Sequence, residues 1–166
     1  MVDAVDEIIA MWAREKPDLD ATPMGIVGRI SRLSRLLDKE LKDFFAGHGL
    51  EFWEFDVLAT LRRSGAPYEL SAGALLKTAM VTSGAITNRV DRMETKGLVL
   101  RVRDPDDRRG VRIRLTPDGL ALIDKLMPLH VANEQRLLAE LGEGDQDTLA
   151  DLLRTLAASL GDTSLG

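Results

Sequence analysis

Cysteine is absent from the 166-residue chain, and histidine occurs only twice. The first absence removes disulfides, thiolate metal sites, thiol nucleophiles and thiol redox sensing together. It fits a reducing cytoplasm. His48 and His130 are far apart in sequence, and no H-E-x-x-H-like pair exists, so metal-dependent hydrolysis has no visible site. No serine sits in an elbow motif, and no Gly-rich loop follows a buried strand. The expectation is a protein with no catalytic residue, no metal and no cofactor. Long apolar runs are missing too: none reaches the roughly 18 residues of a spanning helix. Asp3, Asp6 and Glu7 stand where a signal peptide would be basic. The chain is therefore expected to be soluble, cytoplasmic and without a membrane partner.

What remains is an ordinary globular composition, with 45% hydrophobic and 30% charged residues. The net charge is −5, which argues mildly against nucleic acid until its distribution is considered. Ser71 to Arg114 holds ten basic and five acidic residues, a net +5, against 12 basic and 22 acidic elsewhere, a net −10. Eight of those ten cations are arginine, which favours bidentate contacts to phosphates or base edges over a merely solubilising face. A basic segment on an acidic body is the footprint of a phosphate-binding surface. A solvated charged hairpin is the plainer alternative.

Helical periodicity dominates the chain. Helices are predicted over 3–14, with Trp12 on its apolar side, and over 24–45, with Ile26, Val27, Ile30, Leu33, Leu37, Leu41 and Phe44 at spacings of three and four. A third covers 51–64 and buries Phe52, Phe55, Val57, Leu58 and Leu61. Two short helices follow on a tight turn, one capped by Ser71 and one running from Thr82 to Lys96 before Gly97. That pair is a helix-turn-helix candidate. The period then switches to two. Leu98, Leu100 and Val102 alternate with Val99, Arg101 and Arg103, and Val111, Ile113 and Leu115 alternate with Arg112 and Arg114. This predicts a β-hairpin with an apolar face, a basic face and a charged tip. Thr116-Pro117 restarts helix as N-cap and first residue, with a possible kink near Pro128. A last helix covers 145–160 and carries a leucine stripe.

Helix, turn, helix and hairpin form a winged helix-turn-helix, in a mainly α chain with helical dimerisation regions. The second helix suits the DNA major groove. Thr82, Ser83, Thr87, Asn88 and Arg92 are the candidate groove residues: asparagine pairs bidentately with adenine and arginine with guanine. Arg108 and Arg109 at the hairpin tip can enter a narrow minor groove, with Asp106 or Asp107 to orient an arginine. The leucine stripes on the terminal helices have little else to cover, which independently argues for a symmetric dimer. The domain reading is 1–50 for N-terminal helices that dimerise and cover a ligand pocket, 51–116 for DNA binding, and 117–166 for C-terminal dimerisation. A protein-interaction adaptor that uses the winged helix without DNA is the rival from another class.

The stretch LVLRVRDPDDRRGVRIRLTPDG resembles the wing of the MarR family of winged-helix regulators, through that family's D-x-R-x5-L-T pattern. TSGAITNRVDRMETKGLV resembles its recognition helix. The resemblance spans nearly the whole chain and implies an obligate homodimer with interwoven terminal helices. It also implies that Thr82, Ser83, Thr87 and Asn88 face the major groove, while Arg109 enters the minor groove held by Asp107.

A helix carrying Trp12 and the link Pro17-Asp18-Leu19-Asp20 is similar to the urate-responsive, PecS-type subgroup. That likeness implies a homodimeric repressor released from double-stranded DNA by urate, with ligand contacts at Trp12, Asp56, Arg63 and Arg89. It further implies an Asp56–Arg101 ion pair that loosens on ligand binding. Xanthine or a phenolic acid would suit an arginine-plus-aromatic pocket equally.

Overall fold

The computed structural model describes residues 2–78, 86–104 and 110–164. The chain divides into two compact units, Met1–Gly49 and Leu50–Gly166.

The first unit is a pair of helices, α1 (Ala4–Glu15) and α2 (Met24–Ala46). Asp3 starts α1: its carboxylate accepts from the Val5 and Asp6 amides at 2.8 and 3.0 Å, and Asp6 returns a bond to the Asp3 amide at 3.0 Å. This reciprocal cap satisfies donors that a helix start otherwise leaves open. Arg29 of α2 then bonds Asp3 at 2.8 Å and Asp6 at 2.6 Å, tying the two helices together. These bonds hold both carboxyls below their ordinary pKa. The largest cause for Asp3 is Arg29, and for Asp6 the bond from the Asp3 amide. Val5 is buried and packs where Gly28 leaves room on α2.

The second unit is built around α3 (Phe52–Arg63), whose residues from Trp53 to Leu61 are all buried. A helix covered on every side has no apolar stripe to read. The expected buried face is therefore corrected at its start: Trp53 is 9% exposed, while Phe52 is only partly covered. After α3 come β1 (Glu69–Ser71), α4 (Ala72–Thr78), α5 (Ile86–Thr95), β2 (Val99–Arg103), β3 (Val111–Leu115), α6 (Pro117–Leu137) and α7 (Glu143–Ser159). Helix α6 continues through Pro128. Ser71 caps α4 through the Ala74 amide at 3.1 Å, and Thr116 caps α6 through the Gly119 amide at 3.0 Å.

The sheet has three antiparallel strands in the order β1-β3-β2 rather than the two of a simple hairpin. Its register pairs Val99 with Leu115 and Arg101 with Ile113, and it pairs Leu100 with Arg114 and Val102 with Arg112. Val99, Ile113 and Leu115 are buried, whereas Leu100 is 36% exposed. The inward residue of β2 is thus Val99, and the alternation expected for that strand is shifted by one. A shift of one residue exchanges the two faces of a strand. Arg101 consequently shares a face with the core residues, and Leu100 lies beside the arginines.

Candidate nucleic-acid interface

Helix α5 is the second helix of the helix-turn-helix, and its described part places charges by sign on opposite flanks. Val90 and Met93 point into the core, at 2% and 0% exposure. Arg89, Arg92 and Lys96 follow one another at spacings of three and four and so line one flank. Asp91 and Glu94 line the other. Thr87 and Asn88 are exposed.

The basic flank meets the start of α3. The Arg92 guanidinium donates to Glu51 at 2.8 Å, and the Trp53 indole N–H donates to the other oxygen of the same carboxylate at 3.0 Å. Both Arg89 and Arg92 place their guanidinium carbons 5.2 Å from the centre of the Trp53 ring. That distance is within the range of a cation–π contact. Lys96 lies 2.7 Å from Glu54, whose side chain is fully buried. Glu51 and Glu54 also form the capping box of α3, with the Glu51 amide bonding Glu54 at 2.9 Å. The bond from Arg92, and then that from Trp53, holds the Glu51 carboxyl below its ordinary value.

The acidic flank meets the wing. Arg101 pairs with Asp91 at 2.7 Å and with Glu94, and it reaches the Thr87 carbonyl at 3.4 Å. The expected Asp56–Arg101 pair is therefore corrected, because among the described residues the partners of Arg101 are these α5 groups. The inward face of β2 explains the choice, since it sets Arg101 against a helix only one turn back in sequence. Asp56 itself is buried in α3, at 4% exposure, and has a polar partner. Arg63 donates to the Thr78 carbonyl at the end of α4.

On the other face of the sheet, cations and carboxylates form cross-strand pairs. Arg114 bonds Glu69 at 2.6 Å and Arg112 bonds Asp104 at 2.9 Å. Strand β1 supplies Glu69, opposite Arg114 in the register. A cavity of about 130 Å³ lies between α4, α5 and the sheet, lined by Ala72, Thr87, Val90, Arg101, Val111 and Ile113.

The site residues Thr82, Ser83, Asp107, Arg108 and Arg109 lie outside the described residues. Trp12 belongs to the first unit and is 41% exposed. Sequence reasoning missed Glu51, Trp53 and Glu54 as partners of the α5 cations. The available signal was the run Glu51-Phe52-Trp53-Glu54 at a helix start, opposite a helix with cations three and four apart. Among the described residues no cluster of acidic and histidine side chains could hold a metal ion, and no helix is long and apolar enough to cross a membrane.

A winged helix-turn-helix of this order, with a polar outer face on its second helix, is the architecture of a DNA-binding transcription regulator. The MarR family pattern matches residues 48–110. The chain is 41% identical over 149 residues to the HTH-type transcriptional regulator PecS of Dickeya dadantii, covering 90% of each. It is similar to AbsC, a MarR family transcriptional regulator from Streptomyces coelicolor, with a TM-score of 0.75, 26% identity, and coverage of 87% of this chain and 98% of that one. A mutant MarR from E. coli complexed with operator DNA matches with a TM-score of 0.69 and 26% identity, over 93% of this chain and 99% of that one. The chain belongs to the MarR family of helix-turn-helix transcriptional regulators, which are not enzymes.

Proposed function

We propose that this regulator is a cytoplasmic homodimeric repressor that holds α5 of each copy in the major groove of a pseudo-palindromic operator. The observation that carries this reading is the outer face of α5, where Thr87 and Asn88 stand exposed while one flank is tied to α3 through Lys96 and Glu54 and the other to the wing through Arg101. A groove-reading helix needs that immobility, because base-edge bonds demand fixed geometry. Thr82, Ser83 and Arg92 would also contact DNA. Arg108 and Arg109, with Asp107 orienting, would reach the minor groove. The match to a MarR bound to operator DNA supports this mode.

Dimerisation is supported by apolar rows within each unit. Helix α2 exposes Ile26, Val27, Leu33 and Leu36 at 52–66%, and α7 exposes Leu149, Leu152, Leu153 and Leu156 with none of its residues buried. A symmetric partner would cover such rows and space two reading helices by about one DNA turn. Light scattering should give twice the 18.3 kDa chain mass.

The ligand we infer is an anionic purine, urate first, taken by Arg89 and Asp56 with Arg63. Asp56 is a buried carboxylate and Arg89 a half-buried cation on the DNA-reading helix itself. An anion drawing Arg89 off Trp53 would loosen one of the contacts between α5 and α3. Fluorescence anisotropy on the chain's own upstream DNA, titrated with urate, xanthine and salicylate at fixed salt, tests the reading. Urate should release the wild type but not Arg89→Ala. Release by salicylate alone assigns the site to phenolic acids. Absence of duplex binding at low salt leaves only a protein adaptor and contradicts the proposal.

A further inference from the structure

Arg92 is claimed from two sides. Its place on α5 beside Asn88 makes it a DNA contact in the reading above, on which this inference rests. In the structure, however, its guanidinium is bonded to Glu51 at 2.8 Å and packed on Trp53. One guanidinium cannot give the same N–H groups to a carboxylate and to a phosphate or guanine edge. Glu51 is also not a passing neighbour. It is the N-cap of α3, tied to Glu54 by the capping box and to Trp53 by the indole bond. Its carboxylate is thus held at a fixed place, facing Arg92.

We infer that Glu51 is an internal competitor of DNA for Arg92, a carboxylate standing where Arg92 would otherwise offer its charge to the duplex. The pair is half exposed, at 56% for each side chain. Such a pair adds little to folding, about 0.2–1 kcal/mol. It must nevertheless be given up whenever Arg92 engages DNA, so it lowers operator affinity by that amount. Lys96 and the buried Glu54 form a separate pair one turn on, which keeps α5 seated when Arg92 leaves. Glu51 therefore tunes affinity without contacting DNA.

The test is a double-mutant cycle read by anisotropy on the operator duplex across salt concentrations. Glu51→Gln should tighten DNA binding about 1.4- to 5-fold, which is the pair energy expressed as a ratio. It should have no effect in an Arg92→Ala background, which itself should flatten the log–log salt slope by about 0.9 for each phosphate lost. Glu51→Asp serves as the second variant. Aspartate is a favoured N-cap residue, so it keeps the helix start and the charge, yet it withdraws the carboxylate by one methylene. It too should tighten binding. Weaker binding by Glu51→Gln would show that the pair orients Arg92 for DNA, and an unchanged affinity would show that Arg92 never leaves; either overturns the inference. A wild type that binds no duplex removes the DNA reading and this inference together, whereas a wild type that binds with a flat cycle removes only this one.

Discussion

Arg101 and Glu94 hold each other twice: the Arg101 amide donates to one carboxylate oxygen at 2.8 Å, and its guanidinium bonds the other. The wing strand is thereby fastened to α5 through backbone and side chain alike. Asp91 adds a second carboxylate on the same flank, at 2.7 Å. The opposite flank is fastened by Glu51, Trp53 and Glu54. A helix held by ion pairs of opposite polarity on its two sides resists rotation in either sense.

Arg101→Ala should therefore loosen the wing from α5. The loss of a partly exposed network is expected to cost about 1 kcal/mol of folding stability. DNA affinity should fall by more than the stability change alone implies. Urea denaturation and anisotropy measured side by side check this. An unchanged operator affinity would mean that wing and helix engage DNA independently.

Gly119→Ala should be among the most destabilising changes in the chain. A Cβ at this position would stand 2.0 Å from the Leu98 carbonyl oxygen, and the atom it meets is backbone. The same carbonyl accepts from the Thr116 amide at 3.1 Å, and the Thr116 hydroxyl bonds the Gly97 carbonyl at 2.6 Å. The start of α6 and the turn after α5 thus fit only at contact distance. Overpacking here is expected to cost about 3 kcal/mol or more. A melting temperature within a degree of wild type would contradict it.

Glu54 and Lys96 carry the third prediction. Glu54 is fully buried and Lys96 partly exposed. Removing the ammonium by Lys96→Met leaves a carboxylate without its countercharge, at a cost of about 3 kcal/mol. Glu54→Gln in the same background should recover part of that loss, because a neutral amide needs no countercharge. Denaturant midpoints of the two variants give the comparison, and a double variant no more stable than Lys96→Met would count against the charge argument.

The hairpin of α1 and α2 has a defined pH response. Asp3 and Asp6 are lowered from the ordinary 3.8, and Arg29 bonds both. A lowered carboxyl contributes stability that is present above its unfolded value and is lost as pH falls through its folded value. The contribution of Arg29 should thus be constant from pH 5 to 8 and disappear only on strong acidification. Wild type and Arg29→Ala compared by thermal melts across that range check the sign. A difference that grows between pH 5 and 8 would refute it.

Much of this architecture is legible in the sequence because local chemistry dictates it. Asp3, Ser71 and Thr116 cap helices, Gly97 with a φ of +71° ends one, and Val111, Ile113 and Leu115 alternate across β3. Strand β1 is not legible, since three residues show no alternation and acquire strand form only by pairing with β3. The face of β2 is misread because Leu98 and Val99 are both apolar and adjacent, so the pattern permits either phase. The partner of Arg101 depends on that face, and for this reason the expected bond to Asp56 gives way to Asp91 and Glu94. Trp53 escapes notice because α3 is buried all round and periodicity cannot rank its residues.

The central claim is that a helix seated between α3 and the wing reads duplex DNA as one half of a symmetric pair. Equilibrium binding of the wild-type protein to its own upstream duplex across salt concentrations tests it most directly. Neutralisation of about eight phosphates predicts a log–log slope near −7, with a stoichiometry of two chains per operator. A slope near zero, or one chain per duplex, would contradict the claim.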